Sequence, residues 1–214
     1  MKYLKLFESM TELEVAKICE KYKIRNWTLQ PDGLVDVDGG VGLNYKNLTR
    51  LPLRFGEITD HFYCNDNKLT TLEGAPTHVG GHFYCYTNKL TTLEGAPTHV
   101  GGHFSCSHNN LTTLEGAPTE VGGSFICRYN NLSTLKGAPE YIDGKVDFLP
   151  NGNLPTEFID FLELNSNRED LQKYILKWQK DYAVWRRDGS FNQANFIQMM
   201  EAAQDELQNL KFTK

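Results

Sequence analysis

The chain repeats itself every 21 residues, and that period constrains its fold more than any other feature. HFYCNDNKLTTLEGAPTHVGG occupies 61–81, and HFYCYTNKLTTLEGAPTHVGG occupies 82–102, differing only at its fifth and sixth positions. HFSCSHNNLTTLEGAPTEVGG follows over 103–123 and SFICRYNNLSTLKGAPEYIDG over 124–144. A diverged copy precedes them, with Val41, Leu43, Leu48, Leu51 and Ile58 one period before Phe62, Cys64, Leu69, Leu72 and Val79. A fading copy follows through Val146, Phe148 and Asn151, then slips by one residue at Leu154. One such unit cannot bury its apolar face alone, so the units must stack and share a continuous core.

As one unit the pattern is F-x-C-x-x-N-x-L-x-x-L-x-G-A-P-x-x-V-G-G-x. F-x-C alternates with period two, which puts Phe and Cys on one face of a short strand. The Asn falls where the strand bends, and its amide can pair with the backbone groups freed there. Stacked copies predict a ladder of Asn67, Asn88, Asn109, Asn130 and Asn151. L-x-x-L brings two more apolar groups inward. Gly-Ala-Pro blocks helix continuation and makes a return. Gly-Gly is expected to supply a positive φ before the next strand.

These residues resemble the leucine-rich repeat family. F-x-C-x-x-N-x-L-x-x-L matches its L-x-L-x-x-N-x-L-x-x-L, with Phe and Cys in the first two Leu slots. The short period and the Pro-containing return look like the bacterial-effector subtype. The LTTLEGAP…VGG wording is similar to bacteriophage-encoded leucine-rich repeat proteins of this period. The resemblance implies an α/β leucine-rich-repeat solenoid, with a parallel β-sheet on the concave face and irregular turns on the convex side. It also implies protein binding, with a bacterial host protein as the partner, and no enzyme activity. Effectors of that family can carry a ubiquitin-ligase domain with a catalytic Cys. The residues after the repeats here contain neither Cys nor His, which removes a thiol nucleophile with a neighbouring base.

The chain divides into an N-terminal helical cap with lead-in strands over 1–35, the solenoid over 36–154, and a C-terminal helical cap over 155–214. Thr11-Glu12-Leu13-Glu14 is a capping box, and an apolar stripe from Leu13 to Cys19 predicts a helix over about 12–22. Asn26–Leu29 and Leu34–Val37 read as short strands around a Pro31-Asp32-Gly33 turn. Pro155–Leu164 starts a helical region. A second helix opens at Asn167 or at the Arg-Glu-Asp after it, carries Leu171, Tyr174, Ile175, Trp178, Tyr182 and Trp185, and ends at Gly189. A third runs from Asn192 to about Leu210. Its neighbours' aromatics are read as packing on the last repeat.

If Phe and Cys point inward, the alternating positions point out: His61, Tyr63 and Asn65; His82, Tyr84 and Tyr86; His103, Ser105 and Ser107; Ser124, Ile126 and Arg128; Lys145 and Asp147. Asp66, Thr87, His108 and Tyr129 sit beside them. Strands about 4.8 Å apart turn these residues into columns. Tyr, His, Ser and Asn are the adaptable types that paratopes favour. Five positions change between 82–102 and 103–123, and three of them (Tyr84 to Ser105, Tyr86 to Ser107, Thr87 to His108) lie on this face, while Thr91, Thr92 and Glu94 stay constant in the return. The candidate partner-binding residues are therefore His61, Tyr63, His82, Tyr84, Tyr86, His103, His108, Arg128 and Tyr129.

Other chemistry is weaker. Cys64, Cys85, Cys106 and Cys127 read as a buried column of small hydrophobes. The column of His61, His82 and His103 suits tetrahedral zinc poorly, since three ligands on flat adjacent strands lack the geometry. No phosphate loop, G-x-S-x-G or H-E-x-x-H appears. No catalytic residue, metal site or cofactor is assigned. The net charge of −5 argues against nucleic-acid binding through global positive charge. No apolar run approaches the roughly 18 residues of a membrane span. The start of the chain turns acidic and lacks a signal-peptide core, so a cytoplasmic, non-membrane protein is expected. The alternatives to protein binding are self-assembly through the C-terminal helices and, less favoured, weak nucleic-acid binding through Arg128, Lys145, Arg186 and Arg187 with tyrosines for stacking.

Overall fold

The computed structural model describes residues 10–164 and 171–209. Each repeat lays down one rung of a β-solenoid, and each of the four well-matched repeats contributes two strands of two residues. The first strand of the rungs runs through β3 (Val41–Gly42), β5 (Phe62–Tyr63), β7 (Phe83–Tyr84), β9 (Phe104–Ser105), β11 (Phe125–Ile126) and β13 (Val146–Asp147). These pair in parallel, each residue with its counterpart 21 positions on, as Phe62 with Phe83 and Phe83 with Phe104. The second strand appears in β4 (Phe55–Ile58), β6 (His78–Val79), β8 (His99–Val100), β10 (Glu120–Val121) and β12 (Tyr141–Ile142). These form a second parallel ladder, headed by the antiparallel pair β1 (Trp27–Leu29) and β2 (Val35–Val37). One sheet with irregular turns opposite was expected. The P-T-H-V segment instead pairs rung to rung, because Val79, Val100 and Val121 are fully buried and stack in register. The lead-in strands likewise belong to that sheet.

Between the two sheets lie Phe62, Cys64, Leu69, Leu72 and Val79 and their copies, all fully buried in the four well-matched repeats apart from Ile142 in the last, which is 7% exposed. The parity of the repeat is thus as read from the sequence. The Phe rings form a continuous stack with centroids 5.5–5.6 Å apart. At about 1.5–3 kcal/mol per buried apolar side chain, each rung is stabilised mainly by what the next one covers.

The Asn ladder closes the polar side of each bend. Asn109 donates through Nδ2 to the carbonyls of Cys85 on the preceding rung and of Cys106 and Ser107 on its own, while its Oδ1 accepts from Leu90 N–H at 3.0 Å. Asn88 and Asn130 repeat the pattern. Asn67 and Asn151 extend it to both ends, Asn151 reaching the carbonyls of Cys127 and Phe148.

The glycines divide their tasks differently from expectation. Positive φ belongs to Gly74, Gly95, Gly116 and Gly137 of the Gly-Ala-Pro return, at 85–87°. The Gly-Gly pair has ordinary φ and is needed for close approach. A Cβ at Gly101 would strike the Gly80 carbonyl of the rung below, and one at Gly102 would strike the His82 ring.

Helix α1 spans Glu12–Tyr22 with both arms of the capping box formed between Thr11 and Glu14, and it buries Val15 and Cys19 at one end of the solenoid. At the other end stand α2 (Thr156–Leu164), α3 (Leu171–Trp178) and α4 (Gln193–Asn209). The residue at which the second C-terminal helix was expected to open, Asn167, and the expected last residue of the third, Leu210, lie outside the described residues, as does the start of the chain. Helix α3 stops well before Gly189. Ala183 takes φ 47°, Val184 N–H bonds back to Gln179 O, and Trp185 bridges to Phe191 in place of a further turn. The cap closes the exposed sheet edge: Gln172 Oε1 accepts from Phe148 N–H at 3.0 Å, Lys173 Nζ donates to Asp143 O at 2.7 Å, and buried Gln179 donates to Leu135 O at 3.2 Å. Phe158 packs against Phe148, Trp185, Phe191 and Phe196, and Tyr174, Trp178, Tyr182 and Trp185, the aromatics expected to pack on the last repeat, are partly buried against the core.

Asn109→Ala strands backbone groups on two rungs and is expected to destabilise by about 3 kcal/mol in urea denaturation. The neighbouring exposed Asn110→Ala should change stability by less than about 0.5 kcal/mol. Equal effects at the two positions would remove the ladder from the account.

Candidate functional site

The outer face of the sheet formed by β3 to β13 carries the candidate residues. His61, His82 and His103 stack with ring centroids 4.4 and 4.6 Å apart. Beside them Tyr63 stacks on Tyr84 at 5.1 Å, and Tyr84 lies 5.8 Å from Tyr86. Along each rung His61 meets Tyr63 at 5.5 Å and His82 meets Tyr84 at 5.6 Å. His108 stacks on Tyr129 at 4.4 Å, and the Arg128 guanidinium lies over the Tyr129 ring at 5.3 Å. Tyr129 remains 47% exposed. All nine candidates therefore fall on one surface, in two groups across successive rungs.

Not every outward position is open. Asn65, Ser105 and Ser107 are buried, at 4%, 7% and 5% exposure, because taller side chains on the same and adjacent rungs cover them. Asn65 spends its amide on Asp66 Oδ2 at 2.7 Å. Arg128 Nη1 approaches Asp147 Oδ2 at 3.3 Å, a partly exposed pair that contributes little to stability.

The histidine column has a backbone role that the sequence did not reveal. His82 N–H donates to His61 Nδ1 at 2.8 Å, His103 N–H to His82 Nδ1 at 2.9 Å, and Ser124 N–H to His103 Nδ1 at 2.7 Å. A glycine 20 residues on, against the adjacent rung, explains how the rings fit: Gly81, Gly102 and Gly123 leave the space that the His61, His82 and His103 imidazoles occupy. A ring nitrogen that accepts carries no proton, so the proton of each neutral ring is assigned to Nε2, which becomes a donor. Asp60 Oδ1 also lies 3.3 Å from His61 Nδ1. The two contacts require opposite protonation; the backbone bond is shorter and recurs on every rung, so the carboxylate contact is not an ion pair in the neutral ring. The same tautomer is wrong for a metal, because the lone pair a cation needs is already engaged. Among the described residues no group of three His, Cys, Asp or Glu side chains is arranged to hold one.

Burial, then the charges of His61 and His103, push the His82 imidazole below its ordinary range, with Asp60 opposing. Burial pushes the Tyr63, Tyr84 and Tyr86 phenols up, so they stay neutral donors. Cys64, Cys85, Cys106 and Cys127 are free and buried. Burial raises the Cys64, Cys85 and Cys127 thiols well above their ordinary range, which suppresses the nucleophilic thiolate.

A second column was only glimpsed in the sequence. Tyr45, Asp66, Thr87, His108 and Tyr129, each one period apart, all adopt the left-handed conformation with φ 52–57°. Glycine or asparagine suits that conformation, and Thr is β-branched and disfavoured there. The signal was the period itself: one position with four side-chain types and never glycine.

Comparison with known proteins gives no matching family model and no significant match to a curated protein or a solved structure. The fold is a β-solenoid with parallel sheets and terminal helices.

Two outcomes follow from this geometry. Unfolded histidines titrate at about 6.5, so on acidification the unfolded chain takes up protons before folded His82 does. Stability is full above that pH and falls as the pH drops through the lower folded value. His82→Gln keeps an acceptor without a titrating proton, and should flatten the dependence of urea midpoints between about pH 7 and 5. Thr87→Asn should raise stability by about 0.5–1 kcal/mol in the same assay by relieving the left-handed backbone.

Proposed function

We propose that this chain is a non-enzymatic protein-binding module of the leucine-rich repeat type, acting in the cytoplasm on a bacterial host protein. The binding surface is the outer face that carries His61, Tyr63, His82, Tyr84, Tyr86, His103, His108, Arg128 and Tyr129. One observation carries the reading. Between 82–102 and 103–123, otherwise almost identical, three of the five changes fall on this face, and the left-handed column keeps Tyr45, Thr87 and Tyr129 where glycine or asparagine would be less strained. Strain retained at an exposed position points to what the side chain does outside the fold.

Ring orientation favours a protein over a nucleic acid. A base-stacking surface needs open ring faces. Here successive rings cover one another's faces and turn edges outward, with phenol O–H and imidazole Nε2–H at the rim. Edges of this kind suit the hydrogen-bonding groups of a protein surface, and the large amphipathic rings are the side chains that commonly anchor such interfaces. The fold's relation to leucine-rich repeats rests on the F-x-C-x-x-N-x-L-x-x-L segment; the paired P-T-H-V strand departs from the expected single sheet. Phe158 stacks on Phe148 of the last rung and Gln179 bonds to Leu135 O, which favours a cap over a self-assembly element.

Affinity capture from a bacterial lysate with the full chain and with the Tyr84→Ala/Tyr86→Ala variant tests the reading. A specific protein retained by the parent chain should be lost, or reduced at least about tenfold, with the variant. Undiminished capture by a folded variant would place binding elsewhere.

A further inference from the structure

The aromatic columns are interrupted on one rung. Register places Ser105 between Tyr84 and Ile126, and the backbone bonds Thr87 N–H to Ser107 O and His108 N–H to Arg128 O place Ser107 between Tyr86 and Arg128. On their own rung the two serines are flanked by His103 and His108. Two small hydroxyl residues thus form the floor of a site walled by tall side chains on every side. At that floor Ser107 Oγ is buried and has no hydrogen-bond partner, in a residue 5% exposed. At the adjacent register position Arg128 Nε is also buried and without a partner, although Arg128 Nη1 contacts Asp147. Buried polar atoms are ordinarily satisfied, and an orphan pair at adjacent register positions calls for an explanation. Sequence comparison between rungs supplies a second fact: this is the rung at which both tyrosines were exchanged for serine.

The groups around this floor donate. Ser107 offers a hydroxyl, Arg128 its Nε–H, Tyr84 and Tyr86 neutral phenols, and His103 the Nε2–H fixed by its bond from Ser124 N–H. Asp147 lies on the far side of Arg128, against Nη1, and leaves the Nε edge of the guanidinium unengaged. That edge matches a carboxylate, which is planar, accepts at two oxygens and has no proton to clash with the donors. The site is one side chain wide, since neighbouring rungs are only about 4.8 Å apart.

We propose that the Ser105–Ser107 floor is an anchor subsite for a single Asp or Glu side chain of the protein partner, its carboxylate accepting from Ser107 Oγ and from Nε of Arg128. The inference rests on the reading of this face as a protein-binding surface and adds the chemistry of the partner's anchor. Entry requires Arg128, whose side chain is 43% exposed, to rotate away from its partly exposed contacts with Asp147 and the Tyr129 ring. Removing Ser107's hydroxyl should leave the fold intact or firmer, because an orphan polar group is removed, while weakening the complex.

The test is selection from a surface-displayed random peptide library against the full chain, followed by fluorescence polarisation with synthetic peptides. Selected binders should contain an Asp or Glu whose replacement by Asn or Gln weakens binding about tenfold to a hundredfold. The same replacement should change binding less than about twofold against Arg128→Met, as a double-mutant cycle requires for a direct partner. Ser107→Ala should bind the acidic peptides several-fold more weakly with an unchanged or raised melting temperature. An acid-to-amide loss of equal size in the parent chain and in Arg128→Met overturns the anchor, as does a selection that yields no acidic, Arg128-dependent binder. Binders that ignore Arg128 but are lost with Tyr84→Ala leave the binding face standing without this anchor. Binders that also ignore Tyr84→Ala overturn the face itself.

Discussion

A side-chain amide at each bend is what lets this chain stack. A 21-residue rung bends after its first strand, and that bend buries carbonyl and N–H groups away from water. The Asn of every repeat answers for those groups twice, once on its own rung and once on the rung before. The amide is therefore both a local cap and an inter-rung link. With it in place, Phe, Cys, Leu and Val can be sealed in a shared core. Without it each added rung would bury unpaired polar backbone, and the apolar gain would be offset.

The outer face inherits its order from that core. Because backbone spacing is fixed by the ladder, outward rings are forced into stacks, and stacking decides what they can offer a partner. Faces are covered and edges are presented. The imidazoles show how far this reaches. Each accepts a backbone N–H from the next rung, which fixes its tautomer, directs an N–H outward and makes the row unsuited to a metal. One row of side chains is thus part of the scaffold and part of the surface. The protonation of its central member, His82, then ties stability to pH.

Much of this was legible in the repeat. Period two in F-x-C gave the inside and outside of the strand, and the Asn, the capping box and the lead-in strands fell where their local chemistry puts them. Residues whose role depends on the neighbouring rung were not legible. Gly101 and Gly102 looked like turn glycines, yet they are demanded by a carbonyl and an imidazole of the rung below. The P-T-H-V segment looked like a loop, since two residues are too short to display a strand period. The second C-terminal helix looked longer because Tyr182 and Trp185 keep helical spacing, although Ala183 and the Trp185–Phe191 bridge turn the chain aside.

By itself the sequence determined the rung: its length, its buried set and the identity of the side chains turned outward. These follow from local rules of alternation, turn chemistry and apolar content, which act within a single repeat. Only the tertiary structure decided the second sheet, the histidine tautomers, the left-handed column and the orphan hydroxyl beside Arg128. Each of those depends on atoms about 21 residues apart in sequence meeting across one strand spacing, and no pattern within a single rung contains that meeting.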